Sequence, residues 1–305
     1  MQTIIPKLKT VLRLTHVDRF TTISIITTLL GAASAEGWLD WKLLVVLSAN
    51  WLCVASLFAA KDLINAPEDA LCEPVDCDNP IAQGSISPQY ANVIMWISLL
   101  AGILLFTVLG LFGSAGWMPL ILGVIGSVMG HSVIHRAYRY KKSSLSDFIL
   151  QAALFTSFQV LSGYFAFKGF LNTPVLFSLL TIACLSIYHT LSTAINNPED
   201  RWFALPTQIL NPKNQRRIHF LMVVCLSIGL ISGFILIVFM RTVTVEIVIL
   251  MGVLAVIFSL PLIKKISNKV QYVEIQKPLY KALMLATTIA LSMQFLMPFI
   301  LQFFR

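Results

Sequence analysis

The feature that most constrains this chain is a series of long apolar runs, each about as long as a helix that crosses a bilayer. A hydrocarbon core takes about 20 mostly apolar residues per helix. Nine segments meet this condition: residues 20–36, 43–60, 90–111, 118–135, 148–167, 174–194, 219–240, 243–262 and 283–303. The sequence therefore predicts an all-α, polytopic membrane bundle of nine transmembrane helices.

The charged content excludes a water-soluble enzyme of one or two domains. Only 12% of the residues are charged, against about 25% in a soluble globular chain, and the mean hydropathy is +0.81. The five cysteines form no close CxxC pair, which argues against a zinc site or a disulfide framework. The basic N-terminal segment, Met1 to Arg19, contains no small-residue cleavage site, so we expect no removable signal peptide.

The distribution of the basic residues predicts the orientation of the bundle. With a cytoplasmic N-terminus, 18 of the 22 Lys and Arg residues fall on the cytoplasmic side, as the positive-inside rule requires. The remaining four are Lys42, Lys168, Arg241 and Arg305. This bias explains the net charge of +8 without nucleic acid as a partner, and it predicts contact with membrane lipids, including anionic ones.

The connection between the second and third spans breaks this pattern because it is acidic. It contains six of the fourteen Asp and Glu residues within seventeen positions: Asp62, Glu68, Asp69, Glu73, Asp76 and Asp78. Asp62 stands two residues after an apolar run, and ionisable residues at membrane depth are functional candidates by default. A solvated acidic loop with helix-capping roles is the alternative at this point.

Two of these acidic residues and an Asn between them share a helix face if the second helix continues beyond its apolar run. Asp62, Asn65 and Asp69 stand at i, i+3 and i+7, with Pro67 in the same turn. Such a row of oxygen ligands suits Mg²⁺, which proteins hold through one or two carboxylates plus substrate phosphates.

A matching cluster follows the sixth span. Asn196 and Asp200 stand at i and i+4, and Arg201 comes next. Because the two clusters lie four spans apart, both are expected on the cytoplasmic side. Two such clusters facing each other would hold a diphosphate through bridging Mg²⁺ and neutralise the charge of the leaving group.

These residues resemble the UbiA superfamily of intramembrane prenyltransferases over nearly the whole chain. That family has nine transmembrane helices, an NDxxDxxxD motif after helix 2 with a following Pro-x-x-x-Gly segment, and a DxxxD motif after helix 6. The first motif matches Lys61, Asp62, Asn65 and Asp69, with Asn79 to Ser87 as the following segment, and the second matches Asn196, Asp200 and Arg201. Members also often have a Tyr and a basic pair before span 5, as Tyr140, Lys141 and Lys142 do here.

The resemblance implies one UbiA-like transmembrane domain over residues 1–305, with a central cavity that opens to the cytoplasmic side. The implied reaction moves an isoprenoid chain from its diphosphate to a lipophilic or aromatic acceptor with Mg²⁺ as the cofactor. The residues divide into three implied roles: Asp62, Asp69 and Asp200 as catalytic residues; Asp62, Asn65, Asp69, Asn196 and Asp200 as metal ligands; and Lys61, Lys141, Lys142 and Arg201 as contacts to the diphosphate.

Four positions depart from the family pattern. Lys61 replaces an Asn, Asn65 and Asn196 each replace an Asp, and Asn79 replaces an Arg. An Asn keeps an oxygen ligand but loses a negative charge, so weaker Mg²⁺ binding is expected. The departures leave two alternatives open: a membrane terpene cyclase of the same fold, and a non-catalytic relative that binds a prenyl lipid or a partner protein. A transporter is disfavoured because the sequence contains no internal repeat.

Overall fold

The computed structural model describes residues 4–71, 79–135, 145–196 and 212–239, and short helical pieces at 287–289, 291–293 and 295–296. Within these ranges all regular secondary structure is helical, which confirms the predicted all-α class for them. The helices are α1 (Ile4–Leu14), α2 (Val17–Ser34), α3 (Trp41–Asp69), α4 (Pro88–Phe112), α5 (Met118–Ile134), α6 (Leu145–Phe165), α7 (Thr173–Asn196) and α8 (Pro212–Phe239).

Helices α2 to α8 coincide with the first seven predicted spans. Four stretches of the described chain are long and apolar enough to cross a membrane: α3, α4, Thr173–Ser192 of α7 and Arg216–Leu236 of α8. Shorter apolar helical stretches lie in α2 and α5. The eighth predicted span, 243–262, lies outside the described residues, and only short pieces of the ninth lie within them. The count of nine spans therefore stays a prediction.

Helix α3 is longer than its apolar run predicts, and this moves the acidic residues onto a helix. It begins after Asp40, whose side chain caps it by accepting hydrogen bonds from the backbone N–H groups of Lys42 (2.9 Å) and Leu43 (3.2 Å). It continues through Pro67 and ends at Asp69. The first half of the acidic segment is thus helical, and Asp62, Asn65 and Asp69 do share one face of α3.

The basic N-terminal segment also forms a helix, although it contains no long apolar run that would predict one. Helix α1 has only 11 residues, too few to cross a hydrocarbon core. It is amphipathic: Leu14 at its end is fully buried, whereas Leu8, Leu12 and Lys9 are exposed.

Contacts between the connections define the two ends of the bundle. The Asn172 side chain, just before α7, donates a 2.9 Å hydrogen bond to the carbonyl of Ser34 at the end of α2. Ser114, between α4 and α5, donates to the carbonyl of Phe167 after α6 (2.7 Å), and the Lys42 ammonium at the start of α3 lies 5.8 Å from the Phe167 ring centroid. The opposite end of the bundle therefore contains the α1–α2 junction and the carboxyl ends of α3 and α7.

Polar side chains join α2, α3 and α6 in the middle of the bundle. The Asn50 amide donates to Thr28 Oγ1 (2.8 Å) and accepts from Ser162 Oγ (3.0 Å), while Thr27 donates to the Gln159 side chain. All five side chains are buried, and their mutual hydrogen bonds satisfy groups that would be costly to bury alone. This network fixes the register of α3, which carries the acidic residues, against its neighbours.

Two glycines allow α2 and α6 to cross at close range. A Cβ on Gly31 would lie 2.0 Å from the carbonyl oxygen of Val160, and one on Gly163 would lie 2.3 Å from that of Thr28. The obstructing atoms belong to the backbone, so rotation of a side chain cannot relieve either clash.

We predict that Gly31→Ala lowers the melting temperature of the purified protein. Overpacking of this kind costs about 1–3 kcal/mol, because the two helices must move apart and strain the polar network beside them. Gly169→Ala is the matched control, since its Cβ would meet no backbone atom closer than 3.7 Å. Equal melting temperatures for the two variants would contradict this account of the crossing.

Candidate functional site

The centre of the candidate site is a buried pair formed by Asp62 and His16. His16 Nε2 lies 3.0 Å from Asp62 Oδ2, and the two side chains are only 4% and 5% exposed. Because a carboxylate has no proton to give, the ring nitrogen donates. A buried carboxylate requires such a partner, since burying an unpaired charge is very costly. The pair joins residues that stand 46 positions apart in the chain.

His16 is held in a conformation that few side chains adopt. It is the second of the two residues between α1 and α2, with φ 46° and ψ 39°, in the left-handed region. Histidine enters this region more readily than most residues. The preceding Thr15 hydroxyl bonds to the carbonyl of Val11, and the His16 ring lies against Phe58, with 5.5 Å between ring centroids.

Asn79 orients Asp69, the other carboxylate of the first motif. Its side-chain amide nitrogen donates to Asp69 Oδ2 (2.9 Å) and to the backbone carbonyl of Asp62 (2.8 Å). Its side-chain oxygen accepts from the backbone N–H of Ile81 (2.9 Å). Asn79 thus bridges two turns of α3 and anchors the segment that leads to α4.

The segment after Asn79 packs beneath the carboxyl half of α3. Ile81 and Ile86 are buried with Ala59, Ala60 and other apolar residues of α3 and α4. Gly84 supplies a positive φ of 67° in the turn between them. The Pro-x-x-x-Gly segment is therefore a compact support for the end of α3.

Three further polar residues near the end of α3 differ in burial. Lys61 is 5% exposed, Asn65 is half-buried one turn beyond Asp62, and Glu68 is exposed. Lys61 and Asp62 are neighbours in the chain and both are buried, so this end of α3 contains a buried positive and a buried negative side chain. The structure thus places Lys61, Asp62, Asn65 and Asp69 on the last turns of one helix, α3.

The second predicted cluster is described only up to its first residue. Asn196 ends α7, at the same end of the bundle as Asp62 and Asp69, which agrees with the predicted placement on one side. Nothing is described of the Asn196 side chain, and four further predicted site residues lie outside the described residues: Lys141, Lys142, Asp200 and Arg201.

The chemistry of the described donors fits Mg²⁺ that binds together with a phosphate. Among the described residues, no three His, Cys, Asp or Glu side chains are grouped closely enough to hold a metal by themselves. Two carboxylates on one helix face are nonetheless the set that Mg²⁺ uses when waters and substrate phosphates complete its octahedron. Asp62 and Asp69 are such a set, and both are oriented by hydrogen bonds.

An apolar groove of about 420 Å³ runs along α2 and α3, away from the acidic residues. It is lined by apolar side chains of α2, α3 and residues near 295, with Thr21, Ser24 and Trp51 among its polar members. The Trp51 indole N–H donates to Thr21 Oγ1 (3.1 Å). This groove differs in position from the predicted central cavity next to the motifs, and that cavity stays a prediction.

Sequence reasoning missed the role of two residues. His16 belongs to a segment interpreted only as a basic N-terminus, and no local pattern links it to a carboxylate 46 positions away. For Asn79 the sequence indicates only the start of the segment after the first motif and a departure from an Arg. Its place before Pro80, at the end of an acidic segment, is typical of a turn residue and is the one signal that the sequence offers.

Comparison with known proteins supports a common fold. The model of the UbiA prenyltransferase family matches residues 24–273. No match was found among curated protein sequences.

Three solved structures are similar over almost the whole chain. A UbiA homologue from Aeropyrum pernix K1, in its apo form, has a TM-score of 0.64 and 14% identity, covering 92% of this chain and 98% of its own. A structure described as digeranylgeranylglyceryl phosphate synthase in membranes has a TM-score of 0.59 and 19% identity, covering 93% and 98%. A UbiA homologue from Archaeoglobus fulgidus, bound to GPP and Mg²⁺, has a TM-score of 0.57 and 12% identity, covering 93% and 99%. At these identities the likeness shows the fold.

Proposed function

Because this chain belongs to the UbiA prenyltransferase family, we propose that it is an intramembrane prenyltransferase that moves an isoprenoid chain from its diphosphate to a lipophilic or aromatic acceptor. The observation that carries this proposal is the pair of oriented carboxylates, Asp62 and Asp69, on one face of α3 at the end of an apolar bundle. In this proposal residues 1–305 form one catalytic domain.

The diphosphate would be bound between the ends of α3 and α7. Asp62, Asn65 and Asp69 would hold Mg²⁺ from α3, and Asn196 and Asp200 would do so from α7. When bound, Mg²⁺ neutralises negative charge on the diphosphate and so makes it a better leaving group. The Archaeoglobus fulgidus homologues bound to GPP or DMAPP with Mg²⁺ support this choice of ligands.

Four basic residues would contact the phosphate oxygens directly: Lys61, Lys141, Lys142 and Arg201. Lys61 is the described member of this set, and its position next to Asp62 brings a positive charge to the site where the diphosphate would lie. Most Lys and Arg residues of the chain fall on the side of the membrane that contains the carboxyl ends of α3 and α7, which supports a cytoplasmic location for this end of the bundle. The diphosphate would enter the site from the cytoplasm.

The reaction is a substitution at the allylic carbon of the prenyl diphosphate. The carbon–oxygen bond breaks, and its electron pair leaves with the diphosphate. The acceptor supplies an electron pair for the new bond to that carbon and then loses a proton to a basic oxygen or to water. The protein's part is to bind the diphosphate, exclude water from the reacting carbon and hold both substrates in line.

Product analysis tests the proposal. The purified protein is incubated with Mg²⁺, with geranyl, farnesyl or geranylgeranyl diphosphate, and with a lipid extract as the source of acceptors. Mass spectrometry should find a lipid heavier by one prenyl group less one hydrogen, and only with Mg²⁺. Release of diphosphate with a cyclised hydrocarbon and no modified lipid would contradict transfer in favour of a terpene cyclase. Absence of both products would support a non-catalytic lipid-binding protein.

A further inference from the structure

We infer that His16 is a positioning residue for Asp62 and that, through this carboxylate, it sets how tightly the site binds Mg²⁺. The inference rests on the proposed function, because it assigns a role to a residue outside both acidic motifs. His16 would touch neither the substrate nor the metal.

The first observation is that Asp62 is held from two sides. His16 Nε2 donates to the side-chain oxygen Oδ2, and the Asn79 amide donates to the Asp62 backbone carbonyl. The two hydrogen bonds restrict rotation of both the backbone and the side chain of Asp62. The carboxylate is therefore oriented before any ligand arrives.

The second observation is that the chain keeps His16 in an unfavourable backbone conformation. A residue other than glycine with a positive φ persists where the surroundings determine it, and such residues cluster at functional sites. Here the surroundings are the fully buried Leu14 before it, the Phe58 ring beside it and the Asp62 carboxylate in front of it. The strained turn thus directs a ring nitrogen at the motif carboxylate.

These contacts have a chemical consequence for metal binding. A carboxylate with one oxygen engaged by a hydrogen-bond donor presents its other oxygen in a fixed direction. Partners that orient metal ligands in this way are worth about 10-fold to 100-fold in metal affinity or activity. A residue that merely filled space at this position would not affect the Mg²⁺ requirement.

The test compares His16→Phe with His16→Gln. Phe keeps an aromatic ring against Phe58 but has no donor, whereas the Gln amide nitrogen replaces Nε2 as a donor. Neither replacement is β-branched, so both meet a similar restriction from the positive φ. The readout is the Mg²⁺ concentration that gives half of the thermal stabilisation by geranylgeranyl diphosphate, together with kcat and the KM for the acceptor.

We expect His16→Phe to raise the half-saturating Mg²⁺ concentration at least about tenfold, with a lower kcat and an unchanged KM for the acceptor. His16→Gln should restore most of the Mg²⁺ affinity. An unchanged Mg²⁺ requirement in His16→Phe, or equal shifts in both variants, would overturn the inference.

Two other results, a His16→Phe variant that does not fold and a wild-type protein that does not respond to Mg²⁺, can be told apart from a failure of the inference. If His16→Phe does not fold, His16→Asn replaces it: Asn accepts the left-handed conformation, but its shorter amide does not reach as far as Nε2, so the same rise is expected. If the wild-type protein itself shows no Mg²⁺-dependent stabilisation by any prenyl diphosphate, the proposed function fails. A normal wild-type response with an unaffected His16→Phe overturns only the role of His16.

Discussion

Asp69→Asn is expected to lower kcat/KM about 100-fold or more, while the protein stays folded and extractable. Loss of one group that stabilises charge in the transition state typically costs 10²–10³ in kcat. The Asn oxygen still accepts the hydrogen bond from Asn79 that now reaches Asp69 Oδ2, so the support of α3 is retained. What disappears is the negative charge that would bind Mg²⁺. Initial rates at saturating Mg²⁺, alongside a melting curve, measure the effect.

The matched control is Asp40→Asn, the same exchange at the opposite end of the same helix. Asp40 caps the first turn of α3, and Asn is an equally good cap. Its contact with the Lys42 ammonium is long, at 3.9 Å, and contributes little. Near-normal activity is expected for this variant. Full activity in Asp69→Asn would remove Asp69 from the site.

Asn65→Asp is expected to lower the half-saturating Mg²⁺ concentration at least about tenfold, which is 1.4 kcal/mol. Asn65 lies on α3 between the two carboxylates, on the same helix face. An added negative charge there attracts a divalent cation, and a single pair of charges 4 Å apart near a protein surface interacts by about 4 kcal/mol. Titration of Mg²⁺ against thermal stabilisation by geranylgeranyl diphosphate measures the change.

Gln89→Glu is the control for Asn65→Asp. It adds the same charge at the same end of the bundle, on an exposed position in the first turn of α4 that is not one of the candidate ligands. The Mg²⁺ requirement should stay at the wild-type value. A requirement that falls equally in both variants would show a general effect of surface charge and would contradict a ligand role for Asn65.

The sequence was sufficient to predict those features that depend on local patterns. Long apolar runs predicted helices α2 to α8, and the spacing of Asp62, Asn65 and Asp69 predicted their common face once the helix continued. Helix α3 extends beyond its apolar run, because hydropathy marks where lipid contact ends and a helix does not have to end there. Pro67 stands so close to the end of α3 that it interrupts little of it.

Features that depend on the folding of distant segments were not predictable. His16 and Asp62 meet only because the two-residue connection between α1 and α2 lies beside the end of α3. The two hydrogen bonds that the Asn79 amide nitrogen donates, to Asp69 and to the Asp62 carbonyl, likewise depend on a compact turn that places Asn79 beside α3. Both residues orient a carboxylate, and composition or spacing gives no measure of orientation.

The central claim, a metal-dependent diphosphate site at the end of α3, is tested most directly by the melting temperature of the purified protein. The protein is heated with geranyl, farnesyl or geranylgeranyl diphosphate, each with Mg²⁺ and each with EDTA. A ligand that binds only the native state raises the melting temperature by mass action. We expect a rise with Mg²⁺ that EDTA abolishes and that Asp69→Asn greatly reduces. No rise with any diphosphate, in protein shown to be folded, would contradict the claim.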